Sequence, residues 1–206
     1  QGLTTDHIAA LETRDLAALK TSQIVALTTA QIAQGLTTSQ VAALTTAGLA
    51  TLTTTQLSQG LTSDQIVALT TAQVAALTTA QIAQGLTTAQ IAALETRDIA
   101  ALTTAGLVAL TTTQIAQGLT SDQVAALTTA QAAALTTAQI AQGLTTDHIA
   151  ALETRDLAAF KTSQIVTLTT SQITQGLTTD QIAALTTAQI TQGLTTTQIA
   201  QGLTSD

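Results

Sequence analysis

The sequence predicts an all-α repeat solenoid of very short helix-turn units, eight or nine residues each, with three to four units in every coil. The octapeptide Leu69–Ala76 recurs with small changes along nearly the whole chain. Most copies have a Thr three residues before a Gln, flanked by Leu and by Ile, Val or Leu, which is typical of a helix N-terminus. Some copies end in an additional glycine, such as Gly85, and glycine commonly ends helices.

The repeat units follow one another without interruption from residue 3 to residue 202. There are 24 units, sixteen of eight residues and eight of nine. The nine-residue units end in Gln-Gly at Gly35, Gly60, Gly85, Gly118, Gly143, Gly176, Gly193 and Gly202. With no linker or change of composition, we expect residues 1–206 to form a single continuous array. We also expect this array to be a fragment of a longer chain without capping units.

Comparison of the copies separates buried from exposed positions. Position one is Leu except at Phe160, and position six is Ile, Leu or Val except at Ala132, which predicts that both are buried. Positions two and four vary, which predicts exposure. Position three is always Thr or Ser, which predicts a fixed hydrogen bond. Position five is mostly Gln, but His, Asp or Gly replaces it in some units, so we group it with the variable positions.

Each unit is expected to form a helix of five or six residues, with Thr at position two as N-cap and Gln at position five as N3. Leu at position one would pack on the residue at position six, and the terminal glycine would be left-handed. Where Glu12 or Lys20 occupies position two, we expect the N-cap to shift by one residue. Helices this short are unstable alone, so stacking between units must stabilise them.

Two other architectures compete with this prediction. In one continuous helix, the apolar spacing of five and three would rotate the apolar stripe by about 80° per eight residues, which leaves no stable face. A β-solenoid is the alternative fold, because Thr, Ile and Val favour strands. However, successive side chains of a strand point to opposite faces, so positions one and six, five residues apart, would lie on opposite faces of a straight strand. Each unit would therefore need a corner between these two positions to bury both.

Composition excludes several classes of protein. Five Lys and Arg residues are too few to neutralise a phosphate backbone, so we expect no nucleic-acid partner. Thr and Gln interrupt every apolar run well short of the roughly 18 residues of a membrane span. The chain has no Cys, which excludes disulfides and thiolate metal sites.

Charged residues form the most site-like cluster of the sequence. The cluster comprises Asp6, His7, Glu12, Arg14, Asp15 and Lys20, recurs as Asp147, His148, Glu153, Arg155, Asp156 and Lys161, and has a partial copy in Glu95, Arg97 and Asp98. One interpretation is a metal or proton-transfer site. We favour a solvated patch with local ion pairs, because one His per cluster is a poor ligand set. We therefore expect no catalytic, cofactor-binding or metal-binding residue, and no enzyme.

Aspartates at position four are a second candidate set, which comprises Asp6, Asp64, Asp122, Asp147, Asp180 and Asp206. Calcium binding requires several carboxylates together, and no Asp-x-Asp pattern provides them. Acidic residues in the first turn of a helix explain these positions as well.

The rows of Thr suggest a third site, since regular Thr on a rigid solenoid could order water as ice-binding proteins do. Such a face must be flat and uncharged. With three units per coil, the charged units that begin at Leu11, Leu94 and Leu152 fall on three different sides. We therefore expect no side to be an uncharged Thr plane.

The run Leu-Thr-Thr-x-Gln-Ile-x-Ala-Leu resembles the Leu/Thr/Gln-rich repeat arrays of giant bacterial surface proteins, described as adhesin-like or haemagglutinin-like. The resemblance covers the whole chain, transfers no functional residues, and implies an extracellular, elongated, non-enzymatic segment. We expect a structural solenoid rod or filament segment that associates with itself or continues as the same array. An adhesive or ice-binding module that uses the Thr-rich face is the alternative function.

Overall fold

The computed structural model describes residues 2–202, which fold into 24 short helices with no β-strand among them. The all-α repeat solenoid is therefore confirmed, and the β-solenoid is wrong for this part of the chain. Each repeat unit contributes one helix of four to seven residues. The chain divides into two compact units, Gln1–Ala109 and Leu110–Asp206, which are described separately below.

The first compact unit contains ten α-helices and three π-helices among its described residues. They are α1 (Thr5–Ala9), α2 (Thr13–Ala17), α3 (Thr21–Ile24), π1 (Gln31–Gly35), α4 (Thr38–Ala43), α5 (Thr46–Thr51), π2 (Gln56–Gly60), α6 (Ser63–Val67), α7 (Thr71–Ala75), π3 (Gln81–Gly85), α8 (Thr88–Ala93), α9 (Thr96–Ala101) and α10 (Thr104–Ala109).

The second compact unit contains eight α-helices and three π-helices among its described residues. They are α11 (Thr112–Gly118), α12 (Ser121–Ala125), α13 (Thr129–Ala134), π4 (Gln139–Gly143), α14 (Thr146–Ala151), α15 (Thr154–Ala158), α16 (Thr162–Ile165), π5 (Gln172–Gly176), α17 (Thr179–Ala184), π6 (Gln189–Gly193) and α18 (Thr196–Gly202).

Capping boxes begin most of the helices, as the sequence predicts. At α4, the Thr37 hydroxyl accepts from the Gln40 N–H at 3.2 Å, and Gln40 Oε1 accepts from the Thr37 N–H at 2.8 Å. Two N–H groups at the helix start are thereby satisfied.

The predicted shift of the N-cap is wrong. Glu12 and Lys20 at position two remain the N-cap residues of α2 and α3, with extended backbone. Among the described residues, the one position-three hydroxyl with a side-chain hydrogen bond is that of Thr129. The expected fixed hydrogen bond at position three is therefore wrong as a general feature. Stacking, rather than a second capping hydroxyl, holds the helices in register.

Every coil contains three units, since each helix packs against the helix three units further along. In the first compact unit α1 packs on π1, α2 on α4, and α3 on α5. In the second, α11 packs on π4, α12 on α14, and α13 on α15. The sequence predicted three to four units per coil, and the structure has three within each compact unit.

Positions one and six form the core, as predicted. Ile66 and Val74 at position six have no exposed surface, and Leu69 at position one is 1% exposed. Even Ala132, which replaces the usual branched residue at position six, is fully buried. Leu3 and Ile199 are exposed because no described coil packs over them.

The glycines do not have the predicted left-handed conformation, because no glycine in residues 2–202 has a positive φ. Six of the nine-residue units instead absorb the additional residue in a π-helix, as in the bond from the Leu86 N–H to the Gln81 carbonyl at 3.0 Å. Glycine fits at the end of these units because the coil below lies very close. A Cβ on Gly35 would lie 3.1 Å from Ile8 Cβ.

Candidate functional site

Position five is buried in nearly all described units, although its variation predicted exposure. Every buried polar or charged residue of the described chain occupies this position, and the usual residue is Gln. This residue is the third of each α-helix and the first of each π-helix, and its side chain points between two coils. This row of position-five side chains is the candidate functional site, and we call it the amide ladder.

Glutamines of the amide ladder that have a coil before them join two coils, as one example from each compact unit shows. Gln73 Oε1 accepts from the Thr70 N–H at 2.8 Å within its own unit. Its Nε2 donates to the carbonyls of Val41 at 2.8 Å and Leu44 at 2.7 Å in the preceding coil. Gln172 does the same in the second compact unit, where its Nε2 donates to the carbonyls of Ile140 and Leu144, both at 2.7 Å.

These contacts explain why the amide is Gln. Carbonyls at the C-terminal end of a helix have no partner within that helix, and burial without one is costly. The Gln side chain supplies the missing donors while its oxygen completes a capping box. Local capping and coil stacking therefore depend on the same side chain.

His148 replaces Gln in the amide ladder and makes equivalent bonds. Its Nδ1 accepts from the Thr145 N–H at 3.3 Å, and its Nε2 lies 3.0 Å from the Leu119 carbonyl in the preceding coil. Burial lowers the pKa of His148, although the Leu119 carbonyl and Asp147 favour the charged form. The equivalent His7 is exposed, with Nδ1 bonded to the Thr4 N–H at 3.2 Å.

Two aspartates of the amide ladder are also fully buried. Asp156 Oδ1 accepts from the Thr129 hydroxyl of the preceding coil at 2.6 Å, whereas its Oδ2 has no hydrogen-bond partner. Asp98 has no hydrogen-bond partner for either oxygen. Burial raises the pKa of Asp98, against the opposing attraction of Arg97. The interpretation of the cluster as wholly solvated is therefore wrong for His148, Asp98 and Asp156.

Local ion pairs form in the charged cluster, as predicted. Arg14 pairs with Glu12 at 2.9 Å and with Asp15 at 3.6 Å. Arg155 pairs with Glu153 at 2.7 Å and with Asp156 at 3.6 Å. The third copy repeats this pattern, with Arg97 beside Glu95 and Asp98.

The structure does not bring the remaining cluster residues together. Three consecutive units form one coil, so Asp147 and His148, the Arg155 ion pairs, and Lys161 lie on three different sides. Asp6, His7 and Lys20 are separated from Arg14 in the same way. Among residues 2–202, no three His, Asp or Glu side chains come close enough together to hold a metal ion.

The position-four aspartates are exposed wherever the structure describes them. Asp64, Asp122 and Asp180 each lie in the first turn of a separate helix. Asp206 lies outside the described residues. Their placement fits the favourable interaction of acidic groups with a helix N-terminus.

A stretch of one side of the first compact unit is uncharged, although the same side continues to α1, which carries Asp6 and His7 and packs on π1. The units that begin at Leu27, Leu52, Leu77 and Leu102 stack directly, through π1, π2, π3 and α10. They contain no charged residue. Their Thr pairs at positions two and three are exposed or half-buried. We call these four stacked units the Thr column.

One sequence signal could have identified position five as buried. Its substitutions are restricted to Gln, His, Asp and Gly, whereas the exposed position four accepts Ala, Ser, Thr, Asp and Arg. Gln and His share an acceptor and a donor about equally spaced from the backbone. Such a restricted set of residues is typical of a position that makes a fixed hydrogen bond, whereas an exposed position tolerates a wider set.

The ALTTAQ repeat family model matches residues 8–46, 66–96, 91–129 and 149–187, which together make up more than half of the chain. No curated protein and no solved structure matches the chain. None of the helices in residues 2–202 has the length and apolarity that a membrane crossing requires. The repeated units and their stacking make this a repeat-based structural protein. The chain belongs to the ALTTAQ repeat family.

Proposed function

We propose that the chain is a segment of a solenoid rod or filament in a bacterial surface or extracellular protein, and that it is not an enzyme. One observation carries this proposal: three of the repeated positions of the unit serve stacking. Positions one and six are buried, and position five bonds to the preceding coil. A protein whose repeat is used for packing contributes length and stiffness to a larger assembly.

The partner in this proposal is another array of the same kind, as a continuation of the chain or as a second copy. The surface favours such association, because charged residues make up 8% of the chain and Thr, Ala and Gln dominate. Weak charge reduces the electrostatic repulsion between copies. Nucleic acid is not a proposed partner, because the net charge is −7.

Electron microscopy of the 206-residue chain tests the proposal, together with sedimentation over a range of concentrations. We expect rods or fibres, and an average mass that rises with concentration. Monodisperse compact particles of constant mass would contradict the rod and filament role. Antibody labelling of intact cells that produce the full-length protein tests the surface location, which requires labelling without permeabilisation.

A second candidate function is ice binding by the Thr column, with an adhesive role for the same face as a variant. The observation that favours it is the stack of four uncharged units with exposed Thr pairs. A regular, uncharged array of hydroxyl and methyl groups is the surface that ordered water requires.

Thermal hysteresis of the freezing point measures ice binding directly. Thr79→Lys places a charge in the Thr column, whereas Thr71→Lys places one at the same position of a neighbouring side; both residues are exposed. We expect Thr79→Lys to abolish the hysteresis and Thr71→Lys to preserve it. No hysteresis in the unsubstituted chain, or equal loss in both variants, would exclude this function.

A further inference from the structure

His148 takes the place of a glutamine in a unit that the chain also contains in its glutamine form. Residues 144–151 and residues 177–184 are identical except for His148 and Gln181. Gln181 Oε1 accepts from the Thr178 N–H at 2.9 Å, and its Nε2 donates to the carbonyls of Ile149 and Leu152, both at 2.7 Å. The chain therefore provides its own reference for what histidine changes.

The hydrogen bonds of His148 require a neutral imidazole with its proton on Nε2. Nδ1 faces the Thr145 N–H, which can only donate, so Nδ1 must be the acceptor. Nε2 faces the Leu119 carbonyl, which can only accept, so Nε2 must carry the proton. A second proton on Nδ1 would point at the Thr145 N–H and remove that bond of the capping box, whereas the bond from the His148 N–H to the Thr145 hydroxyl at 3.2 Å would remain.

The helices that pack on α14 offer little charge to compensate a protonated imidazole. On one side, α12 carries Asp122, which is exposed. On the other side, π5 carries no charged residue. Within α14 itself the charged neighbour is Asp147, which is also exposed. A protonated His148 would therefore lie between two coils with no buried counter-ion from these helices.

We propose that His148 is an acid-sensitive clamp, whose protonation breaks one of the two bonds of the capping box of α14 and loosens the coil that contains it. Neutral imidazole reproduces the glutamine contacts and holds α14 against the Leu119 carbonyl. Imidazolium keeps the bond to Leu119 but replaces the contact with Thr145 by two opposed N–H groups. The device regulates the stacking of the second compact unit and goes beyond the structural role proposed above.

The pH range of this effect follows from the direction of the pKa shift. Burial lowers the pKa of His148 below the ordinary value of 6.5, so the unfolded chain binds the proton more readily. The stability due to the neutral clamp is complete above the unfolded pKa. It is lost as the pH falls through the folded pKa.

Amide hydrogen exchange of α14, compared between the chain and His148→Gln, tests the proposal. The substitution recreates the Gln181 unit and removes the titrating group. Comparison at the same pH cancels the intrinsic pH dependence of exchange.

At about pH 7 the two proteins should exchange at similar rates, because both caps are intact. Below the folded pKa, α14 should exchange faster in the unsubstituted chain, by about tenfold for each unit of pKa lowering. The exchange of α1 should remain equal in the two proteins.

Imidazole nitrogen shifts provide an independent readout. The two histidines can be resolved, and His7 is an exposed reference in the same molecule. We expect His148 to show the Nε2–H tautomer at neutral pH and to titrate below the ordinary histidine pKa of 6.5. An Nδ1–H tautomer, titration of His148 at or above the ordinary pKa of 6.5, or equal acid dependence of exchange in the chain and His148→Gln would each overturn the proposal.

Discussion

At the residue scale, the buried glutamine is the residue on which the repeat depends. Gln73 is 1% exposed, and its amide is satisfied by one N–H in its own unit and two carbonyls in the preceding coil. A net hydrogen bond contributes about 1 kcal/mol, but a buried partner left unpaired costs about 1–3 kcal/mol. The glutamine therefore stabilises the stack mainly because its loss would orphan buried backbone groups.

Gln73→Ala should lower the free energy of unfolding by about 2–4 kcal/mol, since it removes the side-chain partner of the Thr70 N–H and of the carbonyls of the buried Val41 and Leu44. Urea denaturation followed by circular dichroism measures this loss. Gln23→Ala is the matched control, because Gln23 is exposed and accepts from the Lys20 N–H at 2.8 Å within its own unit. Equal losses in the two variants would show that the contact between coils contributes nothing.

Asp98→Asn should stabilise the chain at neutral pH. Burial raises the pKa of Asp98, so the carboxyl contributes stability at low pH that is lost as the pH rises through its folded pKa. The neutral amide removes this penalty. Asp64→Asn, at an exposed position, is the control.

The gain from Asp98→Asn should shrink as the pH falls, because acid protonates the native carboxyl and removes the difference between the two proteins. Thermal unfolding at several pH values measures this dependence. A constant gain across the range would show that the charge of Asp98 is not the cause.

At the scale of the element, one short helix has too few internal hydrogen bonds to persist alone. Its N-terminus is completed by the capping box, and its C-terminus by a side chain from the following coil. The ninth residue of the longer units is absorbed as a π-helix, and the glycine that ends it lies against the coil below. A Cβ on Gly85 would lie 3.0 Å from Leu57 Cδ1 and 3.3 Å from Thr54 Cα.

Gly85→Val should destabilise the chain by about 1–3 kcal/mol, because the γ-methyl groups would overpack the contact with Leu57 and the backbone at Thr54. Gly2→Val is the control, since a Cβ at Gly2 would meet no atom within 4 Å. Differential scanning calorimetry of both variants compares them directly. No change at Gly85 would show that the neighbouring coil moves aside without cost.

At the scale of the whole molecule, the rule of three units per coil holds in each compact unit described. Stability in such an array is close to a sum of unit terms and nearest-neighbour terms. Substitutions should therefore act on the coil in which they lie and on the two coils that contact it.

Duplication of residues 61–85, which make up three complete units, should be tolerated. The added coil supplies its own core and its own glutamines, Gln65, Gln73 and Gln81. We expect unchanged helix content per residue by circular dichroism and a larger denaturant m-value. A duplicate of residues 61–72, which ends within a unit, should lose helix content because the following core positions no longer face inward. Equal behaviour of the two insertions would contradict the rule of three.

The sequence by itself determined the unit: its length, its capping box, and the burial of positions one and six. These features depend on residues within eight positions of one another, so local periodicity reveals them. The tertiary structure decided which unit stacks on which, why Gly85 is glycine, and that Gln73, His148 and Asp98 are buried. Nearly identical units give no signal about which copies pack on each other. The Nε2 group of a buried glutamine donates to carbonyls of the preceding coil, about 30 residues away in the sequence. The variable residues therefore had to be placed in the stack before their chemistry could be interpreted.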